Sequence, residues 1–445
     1  MPHAAEVRRG SVSDLEVRMN RRLMAFLTLL LGIVPPAFAE GSGSIDSGDT
    51  AWMLTSTALV LFMTPGLALF YGGMVRSKNV LGTIMHSVFA MGLVGIHWVV
   101  IGYSLSFSKG NSFIGGFSHA FLNGVGVEPM GSIPHLAFVA FQGMFAIITP
   151  ALITGAFAER MKFRAYVAFV LLWTTVVYAP VCHWVWASDG WLFKLGALDF
   201  AGGTVVHMSS GFSALVAAIY IGRRVGYPKD QILPNSLIWT VLGAGMLWFG
   251  WFGFNGGSAL ASGALATLAF VTTQIAAAAA AMAWAFAERI RTGKVTVLGV
   301  ASGMVAGLVA VTPASGFVGP MAALAIGLAA GVICYWAICL KPRFGYDDSL
   351  DVFGVHGVGG TLGALLTGVF ASTYWNANGK DGLLLGNVDP LLVQALSVVA
   401  TAAYAAAATW IILKLIDIAG GVRISQAEER EGLDLTQHGE TAYHL

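Results

Sequence analysis

The chain has 445 residues, of which 56% are hydrophobic and only 11% charged, and its net charge is +1. A soluble domain carries about 25% charged residues. This much apolar surface exceeds what one globular core hides, and the bilayer is its natural solvent. The near-neutral balance points neither to nucleic acid nor to an acidic substrate, and the 56 glycines suit helices that pack closely in lipid.

At the amino terminus Arg21 and Arg22 precede an apolar run from Leu23 to Val34, closed by Ala37-Phe38-Ala39 and Glu40. A basic region, a short apolar region and an A-x-A site make a cleaved signal peptide, so residues 1–39 read as an amino-terminal extension plus signal peptide. The rival reading is an uncleaved first membrane helix, for which the run is short against a core of about 30 Å.

After a polar Gly/Ser stretch, eleven apolar segments follow, near 51–74, 80–106, 134–158, 163–187, 201–222, 233–255, 264–287, 296–316, 319–340, 352–374 and 390–415. Each approaches or exceeds the roughly 20 residues a membrane helix needs. The expected fold is an all-α integral membrane protein, with a membrane domain over 40–419 and a polar tail over 420–445. The loops alternate in charge. One set carries Arg76 and Lys78; Arg160, Lys162 and Arg164; Arg223, Arg224 and Lys229; Arg289, Arg291 and Lys294; and Lys341 and Arg343. The other has only Lys109, Lys194 and Lys380. Positive loops stay in the cytoplasm, which puts the mature amino terminus outside and the carboxyl terminus inside. Ten spans divide into two halves of five, and odd-numbered halves reverse orientation, the plan of inverted-repeat transporters; the eleventh is extra. In the tail, Ser425 and Glu428 fit a capping box. The three cysteines, Cys182, Cys334 and Cys339, form neither a disulfide framework nor a CxxC metal site.

Polar residues inside apolar spans are costly and mark functional sites. His207 and His356 are each flanked by Gly and Val, in spans five and ten, equivalent members of the two halves. Each alone reads equally as a core histidine bonded to a nearby carbonyl. As a zinc site the pair lacks ligands, since a catalytic zinc usually has three from protein. Asp199 precedes span five and Asp351 begins span ten, where an acid caps free N–H groups or meets the helix dipole. Phe145, Trp186 and Phe254 are either interfacial aromatics or π faces for a cation, worth up to about 2 kcal/mol when desolvated.

The strings Phe70-Tyr71-Gly72-Gly73, Ala140-Phe141-Gln142-Gly143, Leu198-Asp199-Phe200-Ala201-Gly202-Gly203-Thr204-Val205-Val206-His207, Trp251-Phe252-Gly253-Phe254-Asn255 and Asp351-Val352-Phe353-Gly354-Val355-His356-Gly357, with the tail from Glu431 to Tyr443, resemble the signature segments of the Amt branch of the Amt/Rh/Mep ammonium transporter family. The likeness runs from about Thr50 to Tyr443. It implies a homotrimer in the inner membrane with one pore per subunit and no cofactor. Trp186, Phe145, Ser258 and the Ala201 carbonyl would recruit ammonium, and Phe145 and Phe254 would gate the pore. His207 and His356 would line it as twin histidines, with Asp199 holding the outer site and assisting deprotonation. The tail segment with Gly432, Leu433, Asp434, His438 and Gly439 would dock under the cytoplasmic face, partly on a neighbouring subunit, with its acids paired to the basic loops, and would answer to a PII-type signal protein. The competing readings are a passive ammonia channel of Rh type, an ammonium sensor acting through a partner, and an intramembrane metalloenzyme.

Overall fold

The computed structural model describes residues 44–443; the signal-peptide reading of residues 1–39 lies outside them. Their main helical segments are α1 (Ser47–Met74), α2 (Ser77–Phe107), α3 (His135–Ala156), α4 (Phe163–Leu195, whose continuous helix ends at Trp186), α5 (Gly203–Ile221), α6 (Leu237–Gly257), α7 (Ala264–Thr292), α8 (Val297–Val311), α9 (Pro320–Phe344), α10 (Phe353–Phe370) and α11 (Asp389–Gly420). Among the described residues ten of these are long and apolar enough to cross a membrane.

The exception, α8, has 15 residues, about 22 Å at 1.5 Å per residue. The sequence expectation carried it to 316. The helix instead ends at Val311, because Pro313 has no N–H with which to continue. Pro313 packs against Gly203 at the start of α5, and its carbonyl accepts the Phe200 N–H at 3.1 Å. Starts are set by side-chain oxygens, as at Asp46, which accepts the Asp49 N–H at 2.8 Å ahead of α1, and Thr296, which accepts from Gly299 at 2.9 Å ahead of α8. Such caps satisfy amides that a helix leaves free.

Within the bundle, α6 lies along α1, and α5 meets α10. At the second crossing a Cβ on Gly211 would collide with the backbone of Gly357, so only hydrogen at that position lets the two backbones approach. Four stretches are π-helical: Trp98–Gly102, Thr174–Tyr178, Gly203–Met208 and Phe353–Gly357. Leu54, Ile238, Phe249, Phe286 and Trp410 are exposed on the outside of the bundle, as lipid-facing side chains are.

At one end the basic loops meet buried acids. Arg76 pairs with Glu159 at 2.9 Å and Arg224 with Asp347 at 2.8 Å, both carboxylates being buried. Burial pushes Glu159 up, but its hydrogen bond to Arg76 and the charge of Arg224 outweigh this and hold it below the ordinary carboxylate range. The tail closes over the same end. It forms α12 (Gln426–Glu431), opened by the Ser425/Glu428 capping box, and α13 (Leu433–His438).

Candidate functional site

The aromatic residues singled out in the sequence come together at one place. Phe145 on α3 stacks on Phe254 of α6, with ring centroids 4.2 Å apart and planes at 33°. On its other side Phe145 meets Trp186, at the end of the α4 helix, edge-on at 5.8 Å. The Trp186 indole N–H donates to the Asp199 carbonyl at 2.9 Å, and its ring lies over Gly202. Ser258 caps the end of α6, its hydroxyl donating to the Phe254 carbonyl at 2.8 Å. Ala201 is fully buried in the turn below Trp186.

That turn exists because of Asp199. Its carboxylate accepts the N–H groups of Gly202 at 2.8 Å, Gly203 at 2.5 Å, Thr204 at 2.8 Å and Val205 at 3.2 Å, and the Thr204 hydroxyl. Free amides at a helix start need such an acceptor, and here one buried carboxylate satisfies nearly the whole first turn of α5. The capping role expected from sequence is present in full.

The helix so started carries His207 on its π-helical turn, and α10 carries His356 on another. Inserting one residue into a helical turn re-aims its side chains, a feature common at functional sites. The two imidazoles face each other with Nδ1 to Nδ1 at 3.2 Å and ring centroids 5.3 Å apart. One Nδ1 must then carry the proton and the other accept it. In the neutral pair one outer Nε2 is therefore a donor and the other an acceptor. The His207 Nε2 is buried without a protein partner. Trp251 lies against His207 at 5.4 Å with nearly parallel planes, and its own N–H is held by the Thr312 hydroxyl at 2.9 Å. Trp251 is a site residue that the sequence reading passed over, because it stands in an aromatic run where any ring reads as packing.

Beside the histidines lies a small cavity of about 10 Å³, walled by Val206, Trp251, Phe254 and the imidazoles. A cavity needs about 10–15 Å³ to hold one water, so this one is about the size of a single water molecule. A second void, about 50 Å³, continues from His356 past Tyr71 and Val355 to Asp351.

One expectation is corrected here. Asp351 does not cap α10: its backbone is left-handed, at φ 60°, and its carboxylate pairs with Lys341 at 2.5 Å. The cap is Asp348, which accepts the Phe353 N–H at 2.7 Å. A signal was available, since Asp348 stands eight residues before His356, as Asp199 stands eight before His207. Burial, resisted by the Lys341 charge, pushes the Asp348 carboxyl up to about 6.

The tail differs from expectation in its partners. Asp434 accepts the backbone N–H groups of Leu81 at 3.1 Å and Gly82 at 2.8 Å, and the Leu433 N–H reaches Asn79 Oδ1 at 2.8 Å. The Glu428 carboxylate accepts the Ser425 N–H at 2.8 Å in the capping box of α12, and among the described tail acids only Glu429 forms an ion pair, at 2.8 Å with Arg423. Asp434, Glu428 and Glu429 all accept backbone N–H groups, the last from Val225 at 2.6 Å.

Residues 51–443 match the model of the Ammonium Transporter Family. The chain is 50% identical to an ammonium transporter of Bacillus subtilis over 90% of its length and 99% of that protein's. It is 48% identical to one of Aquifex aeolicus, over 95% of this chain and 100% of that protein. The crystal structure of Candida albicans Mep2 superposes with a TM-score of 0.83 at 36% identity, covering 86% of this chain and 88% of that one. A solved chain described as a sensor Amt protein superposes at 0.81 with 28% identity, over 88% of this chain and 98% of that one. With the twin imidazoles, the stacked phenylalanines and the helical bundle in place, the chain belongs to the ammonium transporter family and is a multi-pass membrane protein that transports ammonium.

Proposed function

We propose that ammonium is taken up at Trp186, Phe145, Ser258 and the Ala201 carbonyl, gives up its proton there, and crosses as ammonia past His207 and His356. Ammonium and potassium are close in size, so a pore selecting by diameter alone discriminates poorly. Ammonium, however, donates hydrogen bonds and releases a proton. A π face attracts a desolvated cation by up to about 2 kcal/mol, whereas a narrow apolar lumen makes a bare cation expensive. The facing imidazoles carry the reading. A proton arriving on the free Nε2 of one ring moves the shared proton across the Nδ1–Nδ1 bond, and a proton leaves from the Nε2 of the other. Each ring ends neutral, and one positive charge crosses for each ammonia. Asp199 holds the turn beneath the recruitment site and assists deprotonation by its negative charge.

The finer architecture belongs to the same proposal. We read α8 as an eleventh span, and α1–α5 and α6–α10 as inverted halves. Contact between repeat-equivalent elements, α1 with α6 and α5 with α10, supports this. The positive loops and tail face the cytoplasm of a cell with an inner membrane, residues 40–419 form the transport domain of a homotrimer, and 420–445 form a regulatory tail read by a PII-type protein. Removal of residues 1–39 as a signal peptide would leave the amino terminus outside.

Ammonium-driven current in proteoliposomes is the test. His207→Ala and His356→Ala should each lower the current or relax selectivity against potassium. The double variant should be no worse than the worse single one, because groups that act as a unit are non-additive. Unchanged current and selectivity in both single variants would reduce the pair to packing. Full ammonia flux without current in the parent would replace the proton relay with passive gas conduction.

A further inference from the structure

His183 stands one helical turn before Trp186 on α4 and is fully buried. Each of its ring nitrogens faces a backbone carbonyl. Nδ1 lies 3.0 Å from the Ser106 oxygen and Nε2 lies 2.8 Å from the Asn111 oxygen. A carbonyl oxygen only accepts, so both nitrogens must donate. A neutral imidazole has a single N–H, and either tautomer would set a bare nitrogen lone pair against an oxygen; only the imidazolium has a donor for each. The pore histidines differ, because they meet each other and one shared proton serves their bond.

A buried charge is costly unless it is hydrogen-bonded and paired. The counter-charge here is Asp189, in the turn after the helix, whose Oδ1 is 3.4 Å from Nε2. The remaining charged side chains of residues 106–116 and 183–195 are Lys109 and Lys194, and both are exposed. The two carbonyls belong to the end of α2 and the loop that follows it, so the ring ties this loop to the end of α4. Further bonds continue the clasp. The Gly110 N–H donates to Asp189 Oδ2 at 3.0 Å, the Trp191 N–H to the Ser112 carbonyl at 3.1 Å, and the Trp184 indole N–H to the Phe113 carbonyl at 2.7 Å. The His183 carbonyl accepts the Ala187 N–H at 3.2 Å and closes the last helical turn, the one that carries Trp186. Residues three apart share a helix face, so the clasping ring is the neighbour of the indole that meets Phe145.

We propose that His183 is a buried imidazolium with Asp189 as its counter-ion, and that it is a positioning residue for ammonium recruitment, a role that rests on the recruitment reading above. It fixes the last turn of α4 and with it the indole face of Trp186. Asp189 leaves the pair without net charge, so a fixed cation beside Trp186 does not repel the cation that the indole attracts.

Magic-angle-spinning NMR of the full protein in lipid, at about pH 8 and so above the ordinary histidine value near 6.5, tests the imidazolium. Cys182-His183 is the one Cys-His step in the chain. Carbon-13 on cysteine carbonyls with nitrogen-15 on histidine therefore picks out His183 in the unaltered protein. Both of its ring nitrogens should carry a proton. One unprotonated ring nitrogen overturns the proposal, whether or not any variant folds.

Ammonium-driven current tests the positioning role. His183→Gln removes the charge and sets an acceptor oxygen where a donor stood. It should raise the half-saturating ammonium concentration by up to the roughly ten-fold expected of Trp186→Leu, with the maximal current retained. The double variant should be no worse than Trp186→Leu alone, since both changes act through one ring. A lower maximal current at unchanged half-saturation makes His183 a support of the fold and overturns the positioning role. Half-saturation shifted in Trp186→Leu but not in His183→Gln overturns that role alone. A shift in neither variant overturns the recruitment reading and the positioning role with it.

Discussion

Trp186 joins two parts of the site. Its ring meets that of Phe145 edge-on, and its N–H fixes the Asp199 carbonyl. Trp186→Leu keeps an apolar side chain but loses the π face. Apparent ammonium affinity should fall about ten-fold, near 1.4 kcal/mol, within the range for a desolvated cation–π contact. Trp186→Phe, which keeps a smaller π face, should fall between. A concentration dependence unchanged in Trp186→Leu would leave the residue as an interface anchor. His207, His356 and Asp199 were legible in sequence because each is a polar group in an apolar run, which the membrane makes expensive. Trp251 was not, since its role depends on lying parallel to His207, and spacing along the chain does not encode that. Asp348 was obscured by Asp351, which sits nearer the span but bends away in a left-handed turn.

Among the elements, the two broken helices follow one design, a buried carboxylate capping a helix that opens on a π-helical turn bearing histidine. In α10 this arrangement has a pH cost. The Asp348 carboxyl, unpartnered at Oδ1, is pushed up to about 6 by burial, from an unfolded value near 3.9. An acid raised in this way contributes stability that is fully present below the unfolded value and is lost as pH rises through the folded one. Asp348→Asn keeps an oxygen for the Phe353 N–H and carries no charge. Relative to the parent, its stability in detergent should rise by on the order of 2 kcal/mol as pH goes from 4 to 7, read as an upward shift of its thermal midpoint against the parent's. A difference that does not depend on pH would show that the carboxyl is not strained by burial. Hydropathy revealed nearly all the helices because the bilayer imposes length and apolarity on each. It did not place the end of α8, because an averaged hydropathy runs across the short Thr312–Gly316 stretch into Phe317 and Val318, and Pro313 acts through a missing N–H. The π-helical turns leave no periodic trace in so short a stretch.

Across the whole molecule, the tail ties together parts far apart in sequence. Gly432 has φ 117°, and a Cβ there would meet the Lys78 carbonyl at 2.6 Å. Gly432→Asp is therefore strained by its backbone and also clashes with Lys78 in the first turn of α2. It should insert normally but transport more slowly and respond less to a PII-type partner. Charge-removing changes at Glu431 should do little, since exposed ion pairs contribute about 0–1 kcal/mol. If Gly432→Asp and a truncation after Arg423 both behave as the parent, the tail has no part in control. That the tail docks was legible, because solubility alone would tolerate almost any polar string. Its partners were not, because they are backbone amides, which every sequence has.

The contact between Asp434 and the start of α2 also bears on how the protein is made. The amides of Leu81 and Gly82 leave the ribosome early, and their acceptor emerges more than three hundred residues later. Until then the second span has an unfinished end, and only a chain read as far as Asp434 can complete it. A product cut short by a nonsense codon or a stalled ribosome keeps those amides open at the membrane surface. The end of the bundle where the tail docks thus stays open until Asp434 has been made.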